Sequence, residues 1–125
     1  MASPAAFAFP ASRRVLRKAD FDQAFRHGRR HGNALLSLVV RPNGLGHPRL
    51  GVALAAKVVG NAVARNRLRR IIRDSFRLSQ TRLPAADLII GARAGARGAP
   101  AAAIRASLEG LWTQANKLCA IPSAP

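Results

Sequence analysis

From Asn61 to Arg77, small and apolar side chains return every three to four positions. Wound at about 100° per residue, Ala64, Leu68, Ile71, Ile72 and Ser75 fall on one side of a helix. Asn66, Arg69, Arg70, Arg73 and Arg77 gather on the other, flanked by Arg65 and Arg67. This is an amphipathic helix with a guanidinium face. A second helical stripe runs through Ile104, Leu108, Leu111, Ala115 and Leu118, opened by Pro100 as a good first-turn residue. A shorter one covers Asp20 to Arg26, where Phe21 and Phe25 stand four apart and Gly28 marks the stop. A pair of rings at that spacing is as readily core as surface.

Between these stripes the rhythm shortens. Ala34 to Val40 is a continuous apolar run closed by Pro42, Asn43 and Gly44, which predicts a strand, with Arg29 to Gly32 as a short preceding one. Pro42 to Pro48 reads as a loop. Arg49 to Ala56 reads as a strand pairing back on its predecessor, followed by Gly60 as breaker and Asn61 as N-cap of the basic helix. That helix ends near Ser79 or Gln80, before Pro84. Asp87 to Ala92, centred on Leu88, Ile89 and Ile90, is a further buried strand, and Arg93 to Gly98 a basic loop. The order is helix, two or three strands, basic helix, strand, terminal helix. It implies an α+β or α/β sandwich of one sheet with helices against it.

A chain of 125 residues suffices for one core. We expect a single domain over residues 13–119, a loose arm over 1–12 and a frayed tail over 120–125. Charge changes the picture more than length does. Lys and Arg number 21 against five acids, a formal net charge of +16, and a polyanionic partner would relieve the resulting self-repulsion. Arg dominates, with Lys limited to Lys18, Lys57 and Lys117. Compositional bias accounts for much Arg, but not for its clustering on one helical face with Asp74 as the sole acid in the run. Arg presents a planar fork that binds phosphate oxygens in pairs and stacks on bases.

Candidate chemistry is sparse. Asp20, Asp22, Asp74, Asp87 and Glu109 are scattered, whereas a two-metal nuclease needs converging carboxylates. Asp20 and Asp22 read as first-turn charges that complement a helix dipole. His27, His31 and His47 lack an obvious orienting carboxylate and read as RNA contacts or plain surface. Cys119 is the only cysteine, so an intramolecular disulfide and a multi-Cys metal site are excluded. No catalytic residue and no metal ligand is expected. The apolar start, Met1 to Pro10, lacks a basic beginning, and no stretch approaches the roughly 20 apolar residues that span a bilayer. The expectation is a cytoplasmic protein that grips RNA or DNA without cutting it. A membrane-surface helix is disfavoured by the narrow apolar face of Leu68, Ile71 and Ile72.

The run Lys57 to Arg77 closely resembles the signature of the bacterial ribonuclease P protein subunit, with Arg65-Asn66-Arg67 as its Arg-Asn-Arg core. The resemblance extends through Asp20 to Gly28, Gly46 to Gly51, Leu83 to Asp87 and Leu108 to Trp112, and so covers roughly Arg14 to Leu118. It implies an αβββαβα fold shared with a domain of a small-subunit ribosomal protein, with a left-handed crossover that departs from the usual hand. It implies a partner, the catalytic RNA, whose Mg²⁺ cleaves precursor tRNA at its 5′ end in a 1:1 ribonucleoprotein. Arg65, Asn66, Arg67, Arg69, Arg70 and Arg73, with Arg77 on the same face, would meet the RNA. Phe21, Phe25, Lys57 and Asn61 would line a cleft for the single-stranded 5′ leader. Two departures stand out. Family members commonly carry a Lys-Lys pair where Lys57 is flanked by Ala56 and Val58, and an aromatic on the strand where Leu35, Leu36, Leu38, Val39 and Val40 are all aliphatic. Weaker leader stacking follows. A ribosomal or architectural RNA-binding protein with no role in cleavage is the alternative.

Overall fold

A computed structural model describes residues 11–15 and 17–120. Most of the expected arm and nearly all of the tail lie outside them; Ala11 and Ser12 belong to a short 3₁₀ turn, Ala11–Arg13. The elements run α1 (Lys18–His27), β1 (Arg29–Gly32), β2 (Leu36–Pro42), β3 (Arg49–Ala53), α2 (Ala56–Val59), α3 (Ala62–Ser79), β4 (Ala86–Ala92) and α4 (Ala101–Ala120). The helix-strand order is the expected one, with the single-turn α2 added. Gly60 sets α2 apart from α3: its φ of 114° lies in the region that glycine alone enters without strain. Asn61 then caps α3, its Oδ1 accepting from the Ala64 amide at 3.0 Å.

The four strands lie in the order β1-β2-β4-β3. β1 pairs antiparallel with β2, β2 antiparallel with β4, and β3 parallel with β4. The expectation that β3 pairs back on β2 is therefore wrong. An antiparallel hairpin and a strand that returns through a long crossover present the same apolar rhythm, so periodicity could not separate them. The βαβ unit runs from β3 through α3 to β4.

Side chains alternate across the sheet, and both faces are covered unequally. Leu36, Leu38, Val40, Leu88 and Ile90 point to one face and join Leu68, Ile72 and Phe76 of α3 and Ile104, Leu108, Leu111 and Trp112 of α4 in the main core. Val39 and Ile89 point to the other, where Ala24, Val15 and part of Phe21 close a much smaller cluster under α1. α3 and α4 are fastened by Trp112, which is wholly buried, meets the Phe76 ring edge-on at 6.1 Å and donates from Nε1 to Ser75 Oγ at 2.8 Å. Asn33 fastens the β1-β2 turn to α4. Its Oδ1 accepts from the Leu35 and Leu36 amides and from Ser107 Oγ, while its Nδ2 donates to the Ser107 carbonyl.

Among the described residues, one charged group sits inside this frame. Asp87 is 1% exposed. Its register partner on β3, Arg49, donates from Nε to Oδ1 at 2.7 Å and from Nη2 to Oδ2 at 2.6 Å. Asn43 of the β2-β3 loop adds a third donor at 3.0 Å, and Asp20 of α1 lies 3.7 Å from Arg49. Hydrogen bonding to Asp87 raises the Arg49 guanidinium above its ordinary value. Such a bidentate pair is strong in place, but removing one partner strands the other in low dielectric.

Arg49→Met, which leaves the buried Asp87 carboxylate with Asn43 alone, is expected to cost about 3 to 5 kcal/mol, read by urea unfolding, whereas Arg49→Met with Asp87→Leu together should cost clearly less. Trp112→Phe, which leaves Ser75 Oγ without its donor, is expected to lower stability by about 1 to 3 kcal/mol in the same titration.

Candidate nucleic-acid interface

The apolar stripe of α3 is buried as its sequence predicts: Leu68, Ile71 and Ile72 are inside, extended by Phe76 and Ser79. Docking that stripe on the sheet turns the opposite side of the helix outward. Asn66, Arg67, Arg70 and Arg73 are exposed, and Arg65, Arg69 and Arg77 are half-buried. Asn66 orients its neighbour, its Oδ1 accepting from Arg69 Nη1 at 3.0 Å. Asn66, Arg69, Arg70, Arg73 and Asp74 line a surface groove of about 360 Å³. Arg67 is steadied from the far side, donating to the Ala99 carbonyl at 3.3 Å. Arg77 lies 3.9 Å from Asp74, an exposed pair three residues apart that is worth little. Arg65 has its Nε buried without a hydrogen-bond partner among the described residues.

The surface reaches beyond α3. The segment ahead of α1 runs along the outer edge of β3, with Arg14 bridged to Leu50 and the Val15 amide donating to the Leu50 carbonyl at 2.8 Å. This brings Arg14 to Arg69 and Arg73 around a crevice that also includes Phe21, Leu50 and Val52. Burial, and then the charges of Arg14 and Arg69, push the Arg73 guanidinium below its ordinary value. Like charges crowd here, and a phosphate would relieve them. Sequence reasoning missed Arg14 because only strand pairing carries it across to α3.

On the other face of the sheet α1 leaves a trough of about 430 Å³. Its floor is Ser37, Val39, Ala53, Ile89 and Gly91, and its rim is Phe25, Arg30, His31 and Arg93. Of the four expected cleft residues, Phe25 alone lines it. Phe25 is 38% exposed, and its ring lies 6.4 Å from that of Phe21. Phe21 turns instead to the edge crevice, where it packs over Gly51: a Cβ there would come within 2.9 Å of its ring. Lys57 is exposed on α2, two residues past Ala55, which does line the trough. Asn61 spends its side-chain acceptor on the α3 cap. Arg30 and Arg93 were not among the expected site residues. Their only sequence signal was their place in a basic hairpin strand and a basic loop.

The acids do not converge. Asp87 is committed to Arg49, whose guanidinium also stands between it and Asp20, Glu109 pairs with Arg82 at 2.6 Å on the surface, and Asp22 and Asp74 lie on α1 and α3. Among the described residues no three His, Cys, Asp or Glu side chains group as metal ligands, and no helix is long and apolar enough to cross a membrane.

Comparison with known proteins identifies the family and the fold. The Ribonuclease P family model matches residues 9–116. The ribonuclease P protein component of Chromohalobacter salexigens is 43% identical over 111 residues, 87% of this chain and 86% of that protein. That of Methylococcus capsulatus is 37% identical over 119 residues, covering 95% and 93%. Among solved structures, the RNase P protein of Staphylococcus aureus superposes with a TM-score of 0.78 at 31% identity, covering 85% of this chain and 96% of that one. The RNase P protein of Thermotoga maritima, solved in complex with 1-(4-fluorophenyl)-2-thiourea, gives 0.75 at 28% identity, covering 80% and 98%. Matched in sequence and in fold over most of its length, the chain belongs to the ribonuclease P protein family.

Proposed function

We propose that the chain is the RNA-binding, non-catalytic subunit of the endoribonuclease that matures the 5′ end of tRNA, acting in the cytoplasm as one protein per catalytic RNA. The outward arginine surface of α3, which has few acids to answer it, carries this reading. That surface binds the catalytic RNA through phosphate oxygens. The trough under α1 takes the single-stranded leader of the precursor, which explains why the protein presents two separate cationic regions and no converging carboxylates. Cleavage belongs to the RNA, and Mg²⁺ is held mainly by RNA phosphates. When bound there, Mg²⁺ supplies the charge stabilisation and activated water that phosphodiester hydrolysis needs. The protein's own residues supply affinity for the leader and screen the charge of two polyanions brought together.

Cleavage of precursor tRNA by the purified catalytic RNA at low Mg²⁺ is expected to rise when the protein is added. No stimulation, together with sedimentation of the protein on ribosomes, would favour an architectural RNA-binding role instead. Arg70→Ala and Arg67→Ala are each expected to weaken assembly with the catalytic RNA, measured by filter binding; unchanged affinity for both would remove α3 from the interface. Affinity is further expected to fall by ~10³ to 10⁵ between roughly 50 and 200 mM salt if several phosphates are neutralised, and a flat profile would contradict the arginine surface as the contact.

A further inference from the structure

Apolar and small groups make the floor of the trough, and Phe25 supplies its ring: of the described lining residues only His31 carries another, and as the register partner of Leu38 it alternates to the opposite face of the sheet, whereas Arg30, partner of Val39, faces the trough. The floor residues Ser37, Val39, Ala53, Ile89 and Gly91 carry no ring, so a base entering the trough finds no aromatic plane on its floor. What it does find is a guanidinium. Arg30, exposed on the edge strand β1, donates from Nη2 to the Phe25 carbonyl at 2.6 Å, and its Cζ lies 5.8 Å from the centre of the Phe25 ring. A second guanidinium lies on the same rim. Arg93 donates from Nη1 to the Asn33 carbonyl at 3.0 Å and rests against Gly32, where even a Cβ would come within 2.3 Å of its Nη2. Each is anchored by a main-chain carbonyl that takes up one of five N–H donors. Among the described residues neither has a carboxylate partner.

We propose that Arg30, laid on Phe25, is the base-stacking platform of the trough, with Arg93 as the phosphate clamp beside it. The inference rests on the reading that the leader occupies the trough. Arg stacks on planar π-systems and keeps its fork free for phosphate, a combination that a point charge such as Lys lacks. Its anchoring to Phe25 limits the rotamer freedom lost on binding. The platform selects unpaired nucleotides, because only a base released from a duplex exposes a face to it, and it is tolerant of base identity. Base stacking on the leader in this chain therefore rests on Arg30, which is both cation and plane, with Phe25 beneath it.

The test uses reconstituted holoenzyme and two substrates, precursor tRNA with a leader of several nucleotides and the same tRNA without one. The quantity read is the leader increment, the ratio of the two affinities. Arg30→Ala is expected to reduce it about tenfold, as for one lost stacked base. Arg30→Lys is expected to restore only part of it, and 2-aminopurine placed in the leader should lose its stacking quench in both variants. An unchanged increment in Arg30→Ala, or full restoration of increment and quench by Lys, would overturn the platform. If the unaltered protein shows no leader increment, the trough reading itself fails, and that outcome is distinct from a normal increment insensitive to Arg30. Circular dichroism of both variants checks that the exposed substitution leaves the fold intact.

Discussion

The buried carboxylate of Asp87 is the constraint on which this architecture turns. It can be kept out of water only while Arg49 faces it from the neighbouring strand, with Asn43 supplying a third donor. A slip of one residue between β3 and β4 would part the pair and turn each apolar set to the wrong face. The pairing therefore holds the register of β3 on β4. Once β3 lies parallel to β4, the intervening chain must cross the sheet, and α3 is the element that crosses. Asp20, close to Arg49, draws the first turn of α1 to the same point on the opposite face.

The crossover divides the labour of the two faces. α3 and α4 bury the larger core, locked by Trp112 against Phe76 and Ser75, and that rigid pair aims the arginines of α3 outward. The ten-residue α1 is too short to cover its own face, so part of the sheet stays open as the trough. Small residues keep it open: at Gly91 a Cβ would come within 2.6 Å of Ser37 Oγ. One cationic region thus faces away from the sheet on α3, and another rims its far side. The segment before α1 extends the first by carrying Arg14 along the β3 edge to Arg69 and Arg73.

The elements whose information is local were legible in the chain. The 3.6-residue period of α3, the cap at Asn61, the stripe of α4 and the run of β4 appear where the pattern places them, whereas β2 starts two residues after Ala34 and runs on to Pro42, and β3 stops at Ala53, short of the expected Ala56. The one-turn α2 escaped, being too short to show a period. The site was legible only in part. The arginine surface follows from helix geometry, since Leu68, Ile71 and Ile72 must go inward and their opposites outward. The trough does not, because residues from β1, β2, β3, β4 and α1 meet there, and no spacing along the chain encodes that meeting. Phe21 and Phe25, four residues apart and in ring contact, nonetheless serve different openings.

By itself the sequence determined the three long helices and the existence of the strands, the positive charge, and the side of α3 that faces solvent, all consequences of periodicity and composition. Its motif also carried the family resemblance. The tertiary structure alone decided that β3 pairs with β4 and not β2, that Asp87 is held by Arg49, that Arg14 joins the α3 surface, and that Arg30 and Arg93 stand over the trough. Each of these joins residues from separate parts of the chain, 38 positions apart for Arg49 and Asp87 and 63 for Arg30 and Arg93. Which distant segments meet depends on how the strands pair and the helices pack, and a hydrophobic rhythm leaves that choice open.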